Sequence, residues 1–359
     1  MSYGEKECLR ACADFPALAR SYNGHPIAFF DGPGGTQVPE TVLTAMRESH
    51  IERNANFDGM FQTSIDVNTA VAAARNAVAD FIGAKSGADI SFGANMTTLN
   101  FALSHALVRS MAPGDEVVIT QLDHEANRGP WLNLEEHGVV VREVNLNPDG
   151  YLDPDDLVAK INSRTRIVAL GIASNSIGTI TALTRARELC TEVGAYLVVD
   201  AVHYAAHFLL DVVALGVDFL LCSAYKFYGP HIGILYARAG LLNEINTDHL
   251  RTQKAVAPYR IETGTLNHAA LAGVRTAMEY IAGWGSGETR RDRLESAMHV
   301  IHDYEVDLAR HYYNRVKDIA GVTAWGPGFD AGPRAPTVSI TITGHTPKAA
   351  AQALATQGL

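Results

Sequence analysis

Asp218-Phe-Leu-Leu-Cys-Ser-Ala-Tyr-Lys-Phe-Tyr-Gly-Pro-His-Ile-Gly233 is the stretch around which the chain is organised. Its first five residues read as a buried strand, and the polar cluster Ser223, Tyr225 and Lys226 follows at the strand's end. Open α/β sheets place their ligands at the carboxyl ends of strands. Taken alone, Lys226 reads as an ordinary surface lysine, because lysines seldom stay buried. Phe227, Tyr228 and the apolar strand change that reading, since desolvation lowers an amine's pKa and leaves it free to attack an aldehyde.

Upstream, short apolar runs alternate with helical stretches: Ile90 to Phe92, Glu116 to Thr120, Val139 to Val144, Arg166 to Ile172, Tyr196 to Asp200 and Asp218 to Cys222, with Ile234 to Arg238 beyond. Such alternation predicts a mainly parallel sheet of seven strands, sandwiched by helices. Polar residues gather after the runs: Gly93-Ala-Asn-Met-Thr-Thr98, Asp123-His-Glu-Ala-Asn127, Ser174-Asn175 with Gly178, and Asp200 with His203. All of them converge on one edge of the sheet.

The composition agrees with a globular α/β chain. Of 359 residues, 47% are hydrophobic and 19% charged, enough for a sizeable core and too little charge for disorder. A net charge of -10 without a basic cluster argues against nucleic acid and leaves a small anionic ligand allowed. No segment is apolar for long enough to span a bilayer, and the start has no apolar signal core, so a cytoplasmic enzyme is expected. Cys8, Cys12, Cys190 and Cys222 form no secreted disulfide framework; Cys190 and Cys222 read as core residues.

Three regions are expected: an N-terminal segment over 1–25, a large domain over 26–285, and a connecting helix with a small α+β domain over 286–359. Pro26 to Phe30 reads as an opening strand broken by Asp31-Gly-Pro-Gly-Gly35, a loop that either lines a site or merely turns. Helices are predicted from Pro39 to Ser49, Val67 to Phe81, Leu99 to Val108, Ala269 to Ala282 and Glu288 to Ile319. Between the first two, Asn54 to Phe61 is polar and aromatic, a substrate-side loop with Asn56 as a candidate substrate contact. Strands at Val322 to Trp325 and Thr337 to Ile342 and a helix capped by Thr346 follow, and this small domain reads as incomplete.

The polar residues supply what pyridoxal phosphate requires. Lys226 is the imine-forming amine and Asp200 an anion for the pyridinium nitrogen, although an aspartate there also caps turns. Asn175 can donate to the phenolic oxygen and His124 offers a ring for stacking. Met96, Thr97 and Thr98 precede an apolar helix whose positive end can hold phosphate, or the threonines simply cap it; Ser223 adds a hydroxyl.

In Asp31-Gly-Pro-Gly-Gly35, Asp123-His-Glu-Ala-Asn-Arg-Gly-Pro-Trp131, Ala173-Ser-Asn-Ser-Ile-Gly-Thr179, Val199-Asp-Ala-Val-His203, Ser223-Ala-Tyr-Lys-Phe-Tyr-Gly-Pro230 and Glu262-Thr-Gly-Thr-Leu-Asn267, the chain resembles class V aminotransferase-fold enzymes. It is most similar to the cysteine desulfurase-like group within the fold type I pyridoxal phosphate superfamily. The resemblance covers most of the chain. It implies that Lys226 forms the Schiff base and acts in catalysis with His124 and Asp200. It also implies that His124 stacks, that Asn175 and His203 lie near the phenolic edge, and that Thr97, Ser223 and Tyr225 take phosphate. Thr265 then reaches the phosphate of a neighbouring subunit, in a homodimer with shared sites. The implied reaction is sulfur removal from L-cysteine, with a sulfur-acceptor protein as partner.

Departures also count. Group II desulfurases carry Ser-Gly-His-Lys where this chain has Ser-Ala-Tyr-Lys, so Tyr225 stands in for a phosphate-binding imidazole. None of the four cysteines matches the group's persulfide position. β-Elimination, transamination or epimerisation of another amino acid therefore remains an alternative, as does a cofactor-binding scaffold without turnover. Arg260 is a candidate substrate-carboxylate anchor or a loop ion pair. His203-Tyr-Ala-Ala-His207 has the spacing of a helical metal pair without a clear third ligand, and no metal is expected.

Overall fold

The computed structural model describes residues 4–359. Seven strands, β1 (Ile90–Gly93), β2 (Glu116–Thr120), β3 (Val140–Val144), β4 (Thr165–Gly171), β5 (Tyr196–Asp200), β6 (Phe219–Ser223) and β7 (Gly233–Ala237), form one sheet in the order β1-β7-β6-β5-β4-β2-β3. All neighbours pair in parallel except β7, which is antiparallel to both β1 and β6. The expected seven-stranded, mainly parallel sheet is present, with boundaries within a residue or so of the apolar runs.

Both faces of the sheet are covered, which is why its central strands are apolar throughout rather than alternating. Consecutive side chains still point to opposite faces. Leu220 and Cys222 enter one apolar cluster, while Phe219 and Leu221 enter the other. The first cluster is closed by α1 (Glu40–Glu52), α2 (Gln62–Ile82), α5 (His268–Ala282) and the start of α6 (Arg290–Val316). In α2 the buried residues Val67, Val71, Ala74 and Val78 recur at helical spacing. The second cluster is closed by α3 (Met96–Val108), with Leu99, Leu103 and Leu107, and by Trp131 of α4 (Glu125–Leu132).

Caps fix where the helices begin. Asn95 accepts from the Thr98 N–H at 2.9 Å and starts α3 three residues before the apolar run predicts. Thr289 and Asp292 form a capping box on α6. Beyond α6 lie an antiparallel pair, β8 (Val322–Trp325) and β9 (Ser339–Ile342), and α7 (Pro347–Ala355), which buries none of its residues.

Two sequence expectations need correction. Pro26 to Phe30 is not a strand: only His25–Pro26 pairs, with Ser21–Tyr22, and Ala28 donates to the Gly358 carbonyl instead. Proline has no N–H for a ladder. The last strand starts at Ser339 rather than Thr337, because residues 334–337 are drawn onto the turn after β4, where Thr179 and Arg334 form a bridge.

Candidate active site

Lys226 ends a single helical turn, Ala224–Lys226, that leaves β6 at the carboxyl edge of the sheet. The turn is fixed by its own backbone: Ala224 donates to Ile232 at 2.9 Å, and Phe227 and Gly229 both donate back to the Ala224 carbonyl. The Asp31–Gly35 loop lies against it. Thr36 donates its N–H to the Tyr225 carbonyl at 2.9 Å, its hydroxyl accepts from the Tyr228 N–H at 2.8 Å, and the Lys226 amine donates to the Pro33 carbonyl. This loop thus both turns and walls the site.

A cavity of about 70 Å³ opens at this edge. It brings together Met96, Thr97, His124, Asn175, Asp200, His203, Ser223, Tyr225 and Lys226, residues from four strand ends and one helix start. Ser223 accepts from the Met96 N–H at 3.0 Å, which ties the end of β6 to the beginning of α3 and leaves the hydroxyl proton free for the cavity. Such proximity needs Gly233, where a Cβ would lie 2.3 Å from the Asn95 carbonyl carbon. His124 caps α4 through Nδ1, which accepts from the Ala126 N–H at 3.0 Å. That bond fixes both the ring plane and a lone pair on Nδ1.

Charge in the cavity is shaped by burial. The Lys226 ammonium is pushed below its usual range by desolvation, against the pull of Asp200 and Asp31. Burial raises Asp200 to about 6, although the Val202 N–H at 2.8 Å, His124 and Lys226 favour its charged form. His203 is driven down to about 3, chiefly by burial, and stays neutral.

Asp123 belongs to the same group, although sequence reasoning gives it no role beyond its place in a motif. It is buried, lines the cavity, and accepts from the N–H groups of Thr120, at 2.9 Å, and Gly171, clamping the ends of β2 and β4. Desolvation raises its carboxyl to about 7, with Asp200 adding to the rise. Its place directly before His124 is the one signal that points to it.

Other expected residues lie elsewhere. Thr98 is exposed and serves the cap, giving its N–H to Asn95 Oδ1 and its hydroxyl to the Asn95 carbonyl, so it does not join the cavity. Asn56 and Thr265 line a separate cavity of about 540 Å³ with Arg75, Tyr259 and Glu262. Arg260 spends its guanidinium on the carbonyls of Ile245, at 2.8 Å, and Ala255, at 3.1 Å, which is a loop role rather than an anchor in the Lys226 cavity. His203 and His207 sit edge to face at 4.8 Å, but they bond Thr337 and Glu305 respectively. Among the described residues, no group of three or more His, Cys, Asp or Glu side chains gathers as a metal site.

These residues fit pyridoxal phosphate. Asp200 is a buried carboxylate with one backbone donor, facing a cavity where a ring N–H would complete it. Opposite it stands an amine of lowered pKa, and the start of a 13-residue helix offers positive potential for a phosphate.

The sequence profile of the Aminotransferase class-V family matches residues 28–359. A cysteine desulfurase of Salmonella dublin is 32% identical over 333 residues, spanning 88% of this chain and 79% of that protein. One of Yersinia pseudotuberculosis is 32% identical over 341 residues, 90% of this chain and 80% of its own. Among solved structures, the cysteine desulfurase CsdA of Escherichia coli superposes with a TM-score of 0.83 at 24% identity, over 98% of this chain and 86% of that one. The cysteine desulfurase of Thermococcus onnurineus gives 0.85 at 24% identity, over 100% and 88%. These two likenesses establish the fold, that of the fold type I enzymes. The chain belongs to the class V aminotransferase family and is a pyridoxal phosphate-dependent enzyme.

Proposed function

We propose that this enzyme removes sulfur from L-cysteine at the cavity that holds Lys226. The observation that carries the reading is the meeting of Lys226, Asp200 and His124 in one cavity of a chain 32% identical to two cysteine desulfurases. Bound pyridoxal phosphate supplies an electron sink for negative charge at the substrate's Cα. Lys226 anchors the cofactor and then moves the Cα proton, a task suited to an amine of lowered pKa. Asp200 keeps the ring nitrogen protonated, and His124 stacks on the ring. Asn175 and His203 address the phenolic edge, while Met96, Thr97, Ser223 and Tyr225 hold the phosphate.

One observation favours a second reading, β-elimination, transamination or epimerisation of another amino acid. Among the described residues no cysteine lines this cavity, and Cys222, fully buried in the sheet, has its thiol raised well above the ordinary range by desolvation. Product analysis separates the two: incubation with L-cysteine yields alanine under the first reading, whereas pyruvate with ammonia, or turnover only of another amino acid, would reject it.

The finer arrangement is part of the same proposal. The chain is a cytoplasmic homodimer that hands sulfur to an acceptor protein, with Thr265 and Asn56 serving the partner subunit's site. A dimer is supported by exposed apolar side chains: Leu250, which lines the cavity with Asn56 and Thr265, and Met60, Phe61 and Ile65, which follow Asn56 in sequence. The large domain is read as 26–285, preceded by the segment 1–25 and followed by 286–359. No described helix is long and apolar enough to cross a membrane.

A further inference from the structure

His203 reaches the cavity from the turn after β5, yet its ring is held from behind by Thr337, 134 residues later in the chain, with Nε2 and Oγ1 2.8 Å apart. Thr337 is delivered there by a segment stitched to the turn after β4. Ala335 donates its N–H to the Gly178 carbonyl at 2.8 Å. The buried guanidinium of Arg334 donates to the carbonyls of Ile177, at 3.2 Å, Pro327 and Thr337, and the Ser339 hydroxyl donates to Ser176. Gly178 is indispensable to this stitching: its φ is +75°, and a Cβ there would lie 2.8 Å from Arg334 Nη2 and 2.9 Å from the Ala335 carbonyl. The same turn carries Asn175. Two residues of the cavity are therefore set by one C-terminal segment.

The His203 ring is neutral, so one nitrogen carries a proton and the other a lone pair. Lys226 and His207 are the charged or titratable groups that act on it, and His207 in turn bonds Glu305 at 2.8 Å. Among the described residues Nδ1 has no hydrogen-bond partner, whereas Nε2 has Thr337. The Thr337 hydroxyl can donate to Nε2 or accept from it, and which it does decides whether Nδ1 offers the cavity a proton or a lone pair.

We infer that Thr337 is a positioning residue whose hydroxyl donates to Nε2 of His203, so that Nδ1 keeps the proton and presents it to an anionic ring oxygen of the cofactor. This rests on the cavity being a pyridoxal phosphate site. The opposite tautomer would aim a lone pair at that oxygen and leave two acceptors facing each other.

The test reads the His203 ring tautomer by 15N NMR without cofactor, assigned by its loss in His203→Gln, together with the pH titration of the visible band in the reconstituted protein. The wild type is expected to hold the proton on Nδ1. Thr337→Val should lose that preference and raise the band's midpoint by about one pH unit, because an anionic oxygen loses a donor. Thr337→Ser should restore both. A proton on Nε2 in the wild type, or an unchanged tautomer in Thr337→Val, overturns the inference. A wild type that gives no visible band, yet whose Nδ1 proton depends on Thr337, supports the hydrogen-bond assignment and instead overturns the cofactor reading.

Discussion

Lys226 and Asp123 show how one cavity moves an amine and a carboxyl in opposite directions on the pH scale. Asp123 is buried and Lys226 half-buried, and this loss of water disfavours the charged form of each. Lys226→Ala should abolish the visible band of the bound cofactor and cut turnover by about a thousandfold or more, checked by absorption and product formation. Asp123 allows a prediction about stability. Its folded pKa, about 7, exceeds the ordinary carboxylate value, as does that of Asp200, about 6. The folded state therefore holds the more protons; the stability these groups give is complete below the unfolded pKa and is lost as pH rises through 6 to 7. His203, with its lowered pKa, works the other way, so the comparison must be between proteins that share it. Between about pH 5 and pH 8, the melting temperature of cofactor-free wild type should fall relative to that of Asp123→Asn. Parallel melting curves across that range would contradict the assignment.

At the scale of elements, what holds the site in place is a small number of ties between segments far apart in sequence. Arg75 on α2 makes a bidentate pair with Glu262, both contacts at 2.7 Å, and Glu262 also accepts the Phe92 N–H of β1 at 2.7 Å. Both side chains are buried. Removing one partner leaves a buried charge alone, so Arg75→Ala should cost about 3–5 kcal/mol in denaturant unfolding. A loss near zero would mean that Glu262 finds water or another donor. Gly178→Ala puts a methyl where Arg334 and the Ala335 carbonyl already stand, at a left-handed φ. It should destabilise by about 1–3 kcal/mol and loosen the link between the turn after β4 and residues 334–339, visible as faster amide exchange there.

For the whole molecule, association is the property to measure. Met60 is 95% exposed and Leu250 61%. Light scattering should give the mass of two chains, and Met60→Asp combined with Leu250→Asp should shift the population to one chain and reduce cofactor retention. On the same scale, the division between local pattern and tertiary packing is plain. The periodicity of apolar runs located all seven strands of the sheet, because burial on both faces demands continuous apolar residues. Asp200 ends one of those runs, and Asn175, His124 and Lys226 lie three or four residues beyond theirs; all four meet in one cavity, because a strand's end fixes where the next few residues lie. Sequence alone therefore determined the sheet, the cofactor class and the residues at the centre of the cavity. The tertiary structure decided the rest: Thr98 as a cap, Arg260 in a loop, Asp123 as a clamp, and Thr337 and Arg334 brought in from the far end of the chain. Local pattern has no bearing on such long-range contacts, since they depend on which distant segments pack together and which buried groups must find partners there.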